Sequence, residues 1–225
     1  MTDLREIAEA ATPQQVASHY LREQILSGAF PVGTRIKTEE IANSLGVSRM
    51  PVRDALQQLH SEGLVVIRPN RGAIVTKLTA DEIQEMFDIR AALEALAARH
   101  ACNNLTSENF AQLESVLEQM HDACTDIQRW IDLHEQFHEI FAQAANKRRL
   151  MAHIRNARRA VLPYVRMYVT AYKHMEMPRA EHEMLIVIAR RGNPALLEEA
   201  MRDHILTASQ GVAQFLRDTA SEAAD

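Results

Sequence analysis

The sequence predicts a mainly α-helical protein of two domains, a winged helix-turn-helix over residues 1–77 followed by an all-helical bundle of six helices over residues 78–225. Three observations predict it. Gly and Pro are dense in the first third, at Gly28, Pro31, Gly33, Gly46, Pro51, Gly63, Pro69 and Gly72, and sparse afterwards. Between them short helix-period stretches give way to β-branched runs, whereas beyond residue 78 Leu, Ala and Met recur at helical spacing. The 225-residue length suits two cores rather than one.

Taken in order, residues 14–27 form an amphipathic pattern with Val16, Tyr20 and Ile25 inward, closed by Gly28. Thr38 is expected to cap a second helix that turns Ile41, Ala42 and Leu45 inward and stops at Gly46. Ser48 opens a third, ending near Glu62 ahead of Gly63. Residues 64–67 and 73–76 are short β-rich runs joined by Arg68, Pro69, Asn70, Arg71 and Gly72, which predicts a two-stranded wing. At Thr79 the tetrad T-A-D-E is a capping box, so a helix follows to about Cys102. Further helices are expected over 107–123, 126–145, 148–172, 178–191 and 194–217, with the final residues, TASEAAD, frayed.

Composition narrows the function classes. Apolar residues are 47% and charged residues 24% of the chain, the proportions of an ordinary globular protein. No apolar run approaches the length of a membrane span, and the first ten residues are acidic rather than basic and then apolar. The expectation is a cytoplasmic protein without a membrane partner. Cys102 and Cys124 have neither metal-type nor redox-type spacing and read as free thiols. The net charge of -5 argues at first against a nucleic-acid partner, but the distribution of charge points the other way. Residues 30–77 hold seven basic against four acidic side chains, while residues 78–225 hold 16 against 22.

The basic segment carries a motif with a physical logic. In G-V-S-R-M-P-V-R-D-A-L, Gly46 permits a tight turn and Val47 plugs the space between two helices. Ser48 begins a helix whose free N–H groups can meet a phosphate. Arg49 and Arg53 are four residues apart, so both project from the leading turns of one face, where an Arg can bond guanine O6 and N7 together. Val52, Ala55, Leu56 and Leu59 occupy the opposite face. Arg35, Lys37 and Thr38 are additional candidates for phosphate contacts.

These residues, with E-G-L-V and R-G-A-I-V after them, resemble the GntR family of bacterial regulators, in the branch with a FadR-type (FCD) C-terminal domain. The resemblance spans nearly the whole chain. It implies that Ser48, Arg49, Pro51 and Arg53 meet DNA from the recognition helix and that Arg71 and Gly72 lie at the wing tip.

The second domain holds His134, His138, His182 and His204 on three expected helices. His134 and His138 are one turn apart and present both rings on one face, as a transition metal requires of a single helix. Nitrogen donors favour zinc, nickel, copper or iron over magnesium or calcium, with zinc first and nickel or iron as the further fits. The resemblance places His138, His182 and His204 at ligand positions, and His134 stands where the family carries an acid. It also places Arg90, in D-I-R-A-A-L-E, toward a cavity where a guanidinium would pair with the carboxylate of a small organic acid effector. Tyr164, Arg166 and Tyr168 are further candidates for that cavity, with core packing the leading account of the two tyrosines, and the basic run over 147–159 reads first as a solvated helix face, with DNA contact or docking of the DNA-reading domain as the alternatives.

One competing class is carried by H-E-Q-F-H at 134–138, the spelling of zinc metallohydrolases in which Glu135 activates water. The metal-site pattern accounts for both histidines without catalysis, and the expectation is no enzyme. A metal-binding helical protein without DNA binding is the third class. The favoured reading is a regulator, in the repressor sense, that binds a palindromic operator in double-stranded DNA as a homodimer.

Overall fold

The computed structural model describes residues 12–68, 72–171 and 179–222. The chain divides after Leu78 into two compact units.

In the first unit, helix α1 (Pro13–Leu26) starts from a capping box in which the Thr12 side chain accepts from Gln15 N–H and Gln15 Oε1 accepts from Thr12 N–H at 2.7 Å. Pro13 sits where its missing N–H is harmless. The buried face is Ala17, Ser18, Leu21 and Ile25; Val16 and Tyr20, expected inward, are half-buried at its edge. Arg22 then clamps Glu62 through Nε at 3.1 Å and Nη2 at 2.7 Å, holding α1 to the end of the third helix.

Strand β1 (Arg35–Ile36) precedes α2 (Thr38–Leu45) and α3 (Arg49–Ser61), followed by β2 (Val65–Arg68) and β3 (Gly72–Val75). The sheet has three antiparallel strands in the order β1-β3-β2, with Arg35 opposite Ile74 and Arg68 opposite Gly72. The two-stranded expectation missed β1, which exists because Ile36 is buried against the same core as Ala73 and Val75. Thr38 is not the cap of α2: Lys37 holds that position without a side-chain bond, and Thr38 is the first helical residue. Gly46 has φ +65°, a left-handed conformation that ends α2 and redirects the chain into α3. The expected tip residues Pro69, Asn70 and Arg71 lie outside the described residues.

The second unit contains α4 (Ala80–Ala101), α5 (Ser107–Asp122), α6 (Ile127–Ala144), α7 (Arg148–Ala171), α8 (Arg179–Arg190) and α9 (Pro194–Glu222). The Thr79 capping box forms as expected, with Glu82 Oε2 accepting from Thr79 N–H at 2.8 Å. Helix α9 continues to Glu222 instead of fraying from residue 219, and Thr219 Oγ1 bonds back to the Phe215 carbonyl at 2.6 Å. Helix α4 packs along α9 and also meets α6 and α7, while α5 packs against α6 and α8. Among the described residues no helix is long and apolar enough to cross a membrane.

Gly211 in α9 makes room for α7. A Cβ there would stand 2.6 Å from Tyr168 Oη and 2.9 Å from its Cζ. Gly211→Ala gains helix propensity of about 1 kcal/mol, yet overpacking of this kind costs about 1–3 kcal/mol. A net loss of stability is expected in urea denaturation, partly recovered by adding Tyr168→Phe, which removes the nearer atom. A stabilised single variant would mean that Tyr168 yields freely.

Candidate functional site

The N-terminal ends of α2 and α3 carry most of the residues expected at DNA. Ser48 holds the N-cap position of α3, exposed and with no capping bond from its hydroxyl. Arg49 and Arg53 follow on the exposed face, Pro51 is half-buried, and Val52, Ala55, Leu56 and Leu59 are buried behind them. Arg35 is exposed on β1, Lys37 is exposed beside α2, and Thr38 is half-buried. Gly72 begins β3 with φ +77°, and a Cβ there would meet the Ile36 carbonyl oxygen at 3.6 Å. Arg71 falls outside the described residues. Two features of this face were not read from the sequence. Met50 is 65% exposed in the first turn of α3. Arg49 Nη2 is hydrogen-bonded to Glu39 Oε1, and Lys37 Nζ to Glu40 Oε1 at 2.6 Å, so two expected DNA contacts each hold a carboxylate of α2.

The four histidines do converge. His134 and His138 come from α6, His182 from α8 and His204 from α9, and one ring nitrogen of each lies within 4.8 Å of the others. His138, His182 and His204 are buried, while His134 is half-buried and stacks on Trp130 with ring centroids 4.9 Å apart. His204 Nδ1 lies 2.8 Å from Glu181 Oε2, and His138 Nδ1 lies 3.4 Å from Glu94 Oε2. The two Nε2 atoms face each other at 3.3 Å. With the His204 Nδ1 proton bonded to Glu181 and the His138 Nδ1 proton on the Glu94 side, where 3.4 Å is too long for a well-formed bond, both Nε2 lone pairs occupy that gap. The opposite tautomer of His138 turns a lone pair on Glu94 instead. A cation between the rings removes either conflict, and the spacing is near the ~3.4 Å expected between two nitrogens each about 2.0–2.1 Å from a tetrahedral metal. The donor set therefore fits a borderline-soft divalent ion. The carboxylates behind two of the rings match the arrangement that orients metal-bound imidazoles.

Electrostatics keep His134 and His138 in the ligating form. Burial, helped by neighbouring His138 and His182, holds His134 well below the usual imidazole value. Burial also outweighs Glu94 in lowering His138. Glu94 is itself buried, which alone would raise it, but the guanidiniums of Arg158 and Arg90 hold it well below the usual carboxylate range. Its bonds are Arg90 Nε–Oε1 at 2.7 Å, Arg158 Nε–Oε1 at 2.9 Å and Arg158 Nη2–Oε2 at 2.6 Å. Arg158 also reaches Glu139 Oε2 at 3.1 Å, and Arg155 closes on Glu139 Oε1.

The basic run is thus only partly a solvated face: Arg158 is 4% exposed and forms the inner part of an ion network behind His138. Arg90 is also buried, at 4%, and among the described residues only its Nε is hydrogen-bonded. Tyr164 belongs to the core, whereas Arg166 reaches Gln128 and Tyr168 packs near Phe215. Glu135 lines a groove of about 660 Å³ together with Asp132, Glu139, Arg155, Arg158 and Arg159, where burial raises its carboxyl. That groove includes neither Arg90 nor any of the four histidines.

Residues 13–75 match the family described as bacterial regulatory proteins, gntR family, and residues 85–207 match the FCD domain. The chain belongs to the GntR family. As a GntR-type protein with an FCD domain it is a DNA-binding transcriptional regulator and not an enzyme, so H-E-Q-F-H is no hydrolase motif here. The GntR chain is 29% identical over 193 residues to the transcriptional regulator YdhC of Bacillus subtilis, covering 83% of each protein. It is 28% identical over 204 residues to the transcriptional repressor RspR of Escherichia coli, covering 88% of each. The solved structure of McbR/YncC from E. coli shares the fold with a TM-score of 0.76 at 23% identity, over 93% of this chain and 99% of that one.

Proposed function

We propose that this GntR regulator binds a palindromic operator as a homodimer through Ser48, Arg49, Pro51 and Arg53, with Arg35, Lys37, Thr38, Arg71 and Gly72 on adjoining phosphates. The observation that carries the DNA half is the exposed leading turn of α3, where Arg49, Met50 and Arg53 stand clear of the core. Arginine supplies bidentate contacts to guanine, and a methionine side chain can meet a thymine methyl. Two recognition helices related by a two-fold axis match two half-sites. Repression is the sense of regulation favoured, as the name of the E. coli relative RspR has it for that protein.

In the helical unit His134, His138, His182 and His204 hold a divalent transition metal, zinc first, with nickel or iron as the other fits. The ion offers a Lewis-acidic anchor for a small carboxylate effector, and Arg90 offers the paired guanidinium. Two buried guanidiniums share Glu94, and the terminal nitrogens of Arg90 have no bond among the described residues, which leaves positive charge for an anion. Effector binding lowers operator affinity by favouring one arrangement of the chain, and a coupling of about 1–3 kcal/mol is enough for regulation.

The test combines fluorescence anisotropy on duplex DNA from upstream of the gene with metal analysis of the purified protein. Arg49→Ala is expected to weaken operator binding by about 1–3 kcal/mol. Equal affinity in wild type and Arg49→Ala would remove α3 from the interface. A panel of small organic acids is expected to contain one that binds the metal-loaded protein and lowers operator affinity. A metabolite that binds tightly with no change in DNA binding argues against the coupling.

A further inference from the structure

Glu39 and Glu40 occupy the first turn of α2, where the helix dipole favours acids, so a stabilising role is the plain account of their presence. Their partners point further. Glu39 holds Arg49, the first residue of the recognition helix, although the two are 10 positions apart and on different helices. Glu40 holds Lys37. Side chains of Arg49 and Glu39 are 60% and 62% exposed, and an ion pair so open to water adds little to folding. Its consequence lies instead at the surface that DNA must approach.

We infer that Glu39 is a specificity-determining residue: in the free protein it occupies Arg49, and on DNA it penalises any sequence that cannot satisfy its carboxylate. The inference rests on the assignment of α3 as the recognition helix. To reach a base or phosphate, Arg49 must exchange one anion for another, which cancels much of the gain that a free guanidinium would make on DNA of any sequence. The released Glu39 carboxylate then faces a polyanion. Among base edges in the major groove, the cytosine amino group is the donor that an acid can accept from. Sites offering that donor near Arg49 restore the lost interaction, and other sites leave a repelled charge. Discrimination through an unfavourable contact with wrong partners follows.

The experiment is a double-mutant cycle on the full chain, using a labelled random-sequence 30-base-pair duplex across a range of salt concentrations. Glu39→Gln is expected to tighten binding to this DNA about two- to fivefold at low salt. The log-log salt dependence is expected to steepen by up to about one unit, as Arg49 becomes free to replace a counterion. In an Arg49→Ala background the gain should be smaller, reduced to relief of the Glu39 repulsion alone, because no guanidinium remains to be released. Circular dichroism and urea denaturation verify that each variant is folded. If Arg49→Ala does not weaken binding, the recognition-helix assignment falls and this inference with it. If Arg49→Ala does weaken binding, but Glu39→Gln has no effect or gives an equal gain with and without Arg49, Glu39 acts only as a general surface charge and the inference alone is overturned.

Discussion

Replacing Glu94 with glutamine is expected to destabilise the helical unit by about 3–5 kcal/mol, the range found when one partner of a buried ion pair is removed. Glu94 is 3% exposed and receives hydrogen bonds from both Arg90 and Arg158, each 4% exposed. Glutamine preserves size but leaves two guanidiniums away from water with too little opposing charge; Arg158 keeps Glu139, whereas Arg90 keeps no acid among its described hydrogen bonds. The same change removes the carboxylate beside His138 Nδ1, so metal affinity is expected to fall by about 10- to 100-fold. Urea denaturation of the metal-free protein measures the first effect and competition with a chromophoric chelator the second. An unchanged urea midpoint would show that the network is dispensable for folding. An unchanged metal affinity in a folded variant would mean that Glu94 does not orient the ring.

Metal loading is the second large effect. At a free zinc concentration of about 100 times the dissociation constant, a single site adds roughly 2.7 kcal/mol to the folded state. For a unit of this size that corresponds to a rise of about 5–10 °C in the unfolding midpoint. His138→Ala should abolish the rise, because His138 is fully buried at the centre of the cluster and faces His204 Nε2 at 3.3 Å. Glu181→Gln should reduce the rise without abolishing it, since Glu181 holds His204 through Nδ1, not through the facing nitrogen. DNA binding without effector should survive His138→Ala if the metal serves sensing. His134→Asp, which restores an acidic donor at the half-buried position, is expected to shift preference toward ions that favour oxygen ligands. Differential scanning calorimetry with and without metal reads all these variants. A midpoint that rises equally in wild type and His138→Ala places the ion elsewhere.

What was legible in the sequence is what chain neighbours decide among themselves. The Thr79 capping box depends on residues three apart, and the break at Gly46 on one residue's backbone freedom; both stand where the pattern puts them. The i,i+4 spacing of His134 and His138 likewise makes one face of α6 a pair of imidazoles. Tertiary structure decided everything that joins distant residues. Strand β1 is two residues long, too short to announce itself, and exists only because Ile36 finds Ala73. Thr38 has the chemistry of a cap, yet the chain's approach from β1 puts Lys37 there. Arg158 reads as one more charge in a basic helix until folding sets it against Glu94, 64 residues earlier in the chain. Local order is written in short-range hydrogen bonds and periodicity, whereas the partner of a buried charge is chosen by which helices pack together, and that is a property of the whole core.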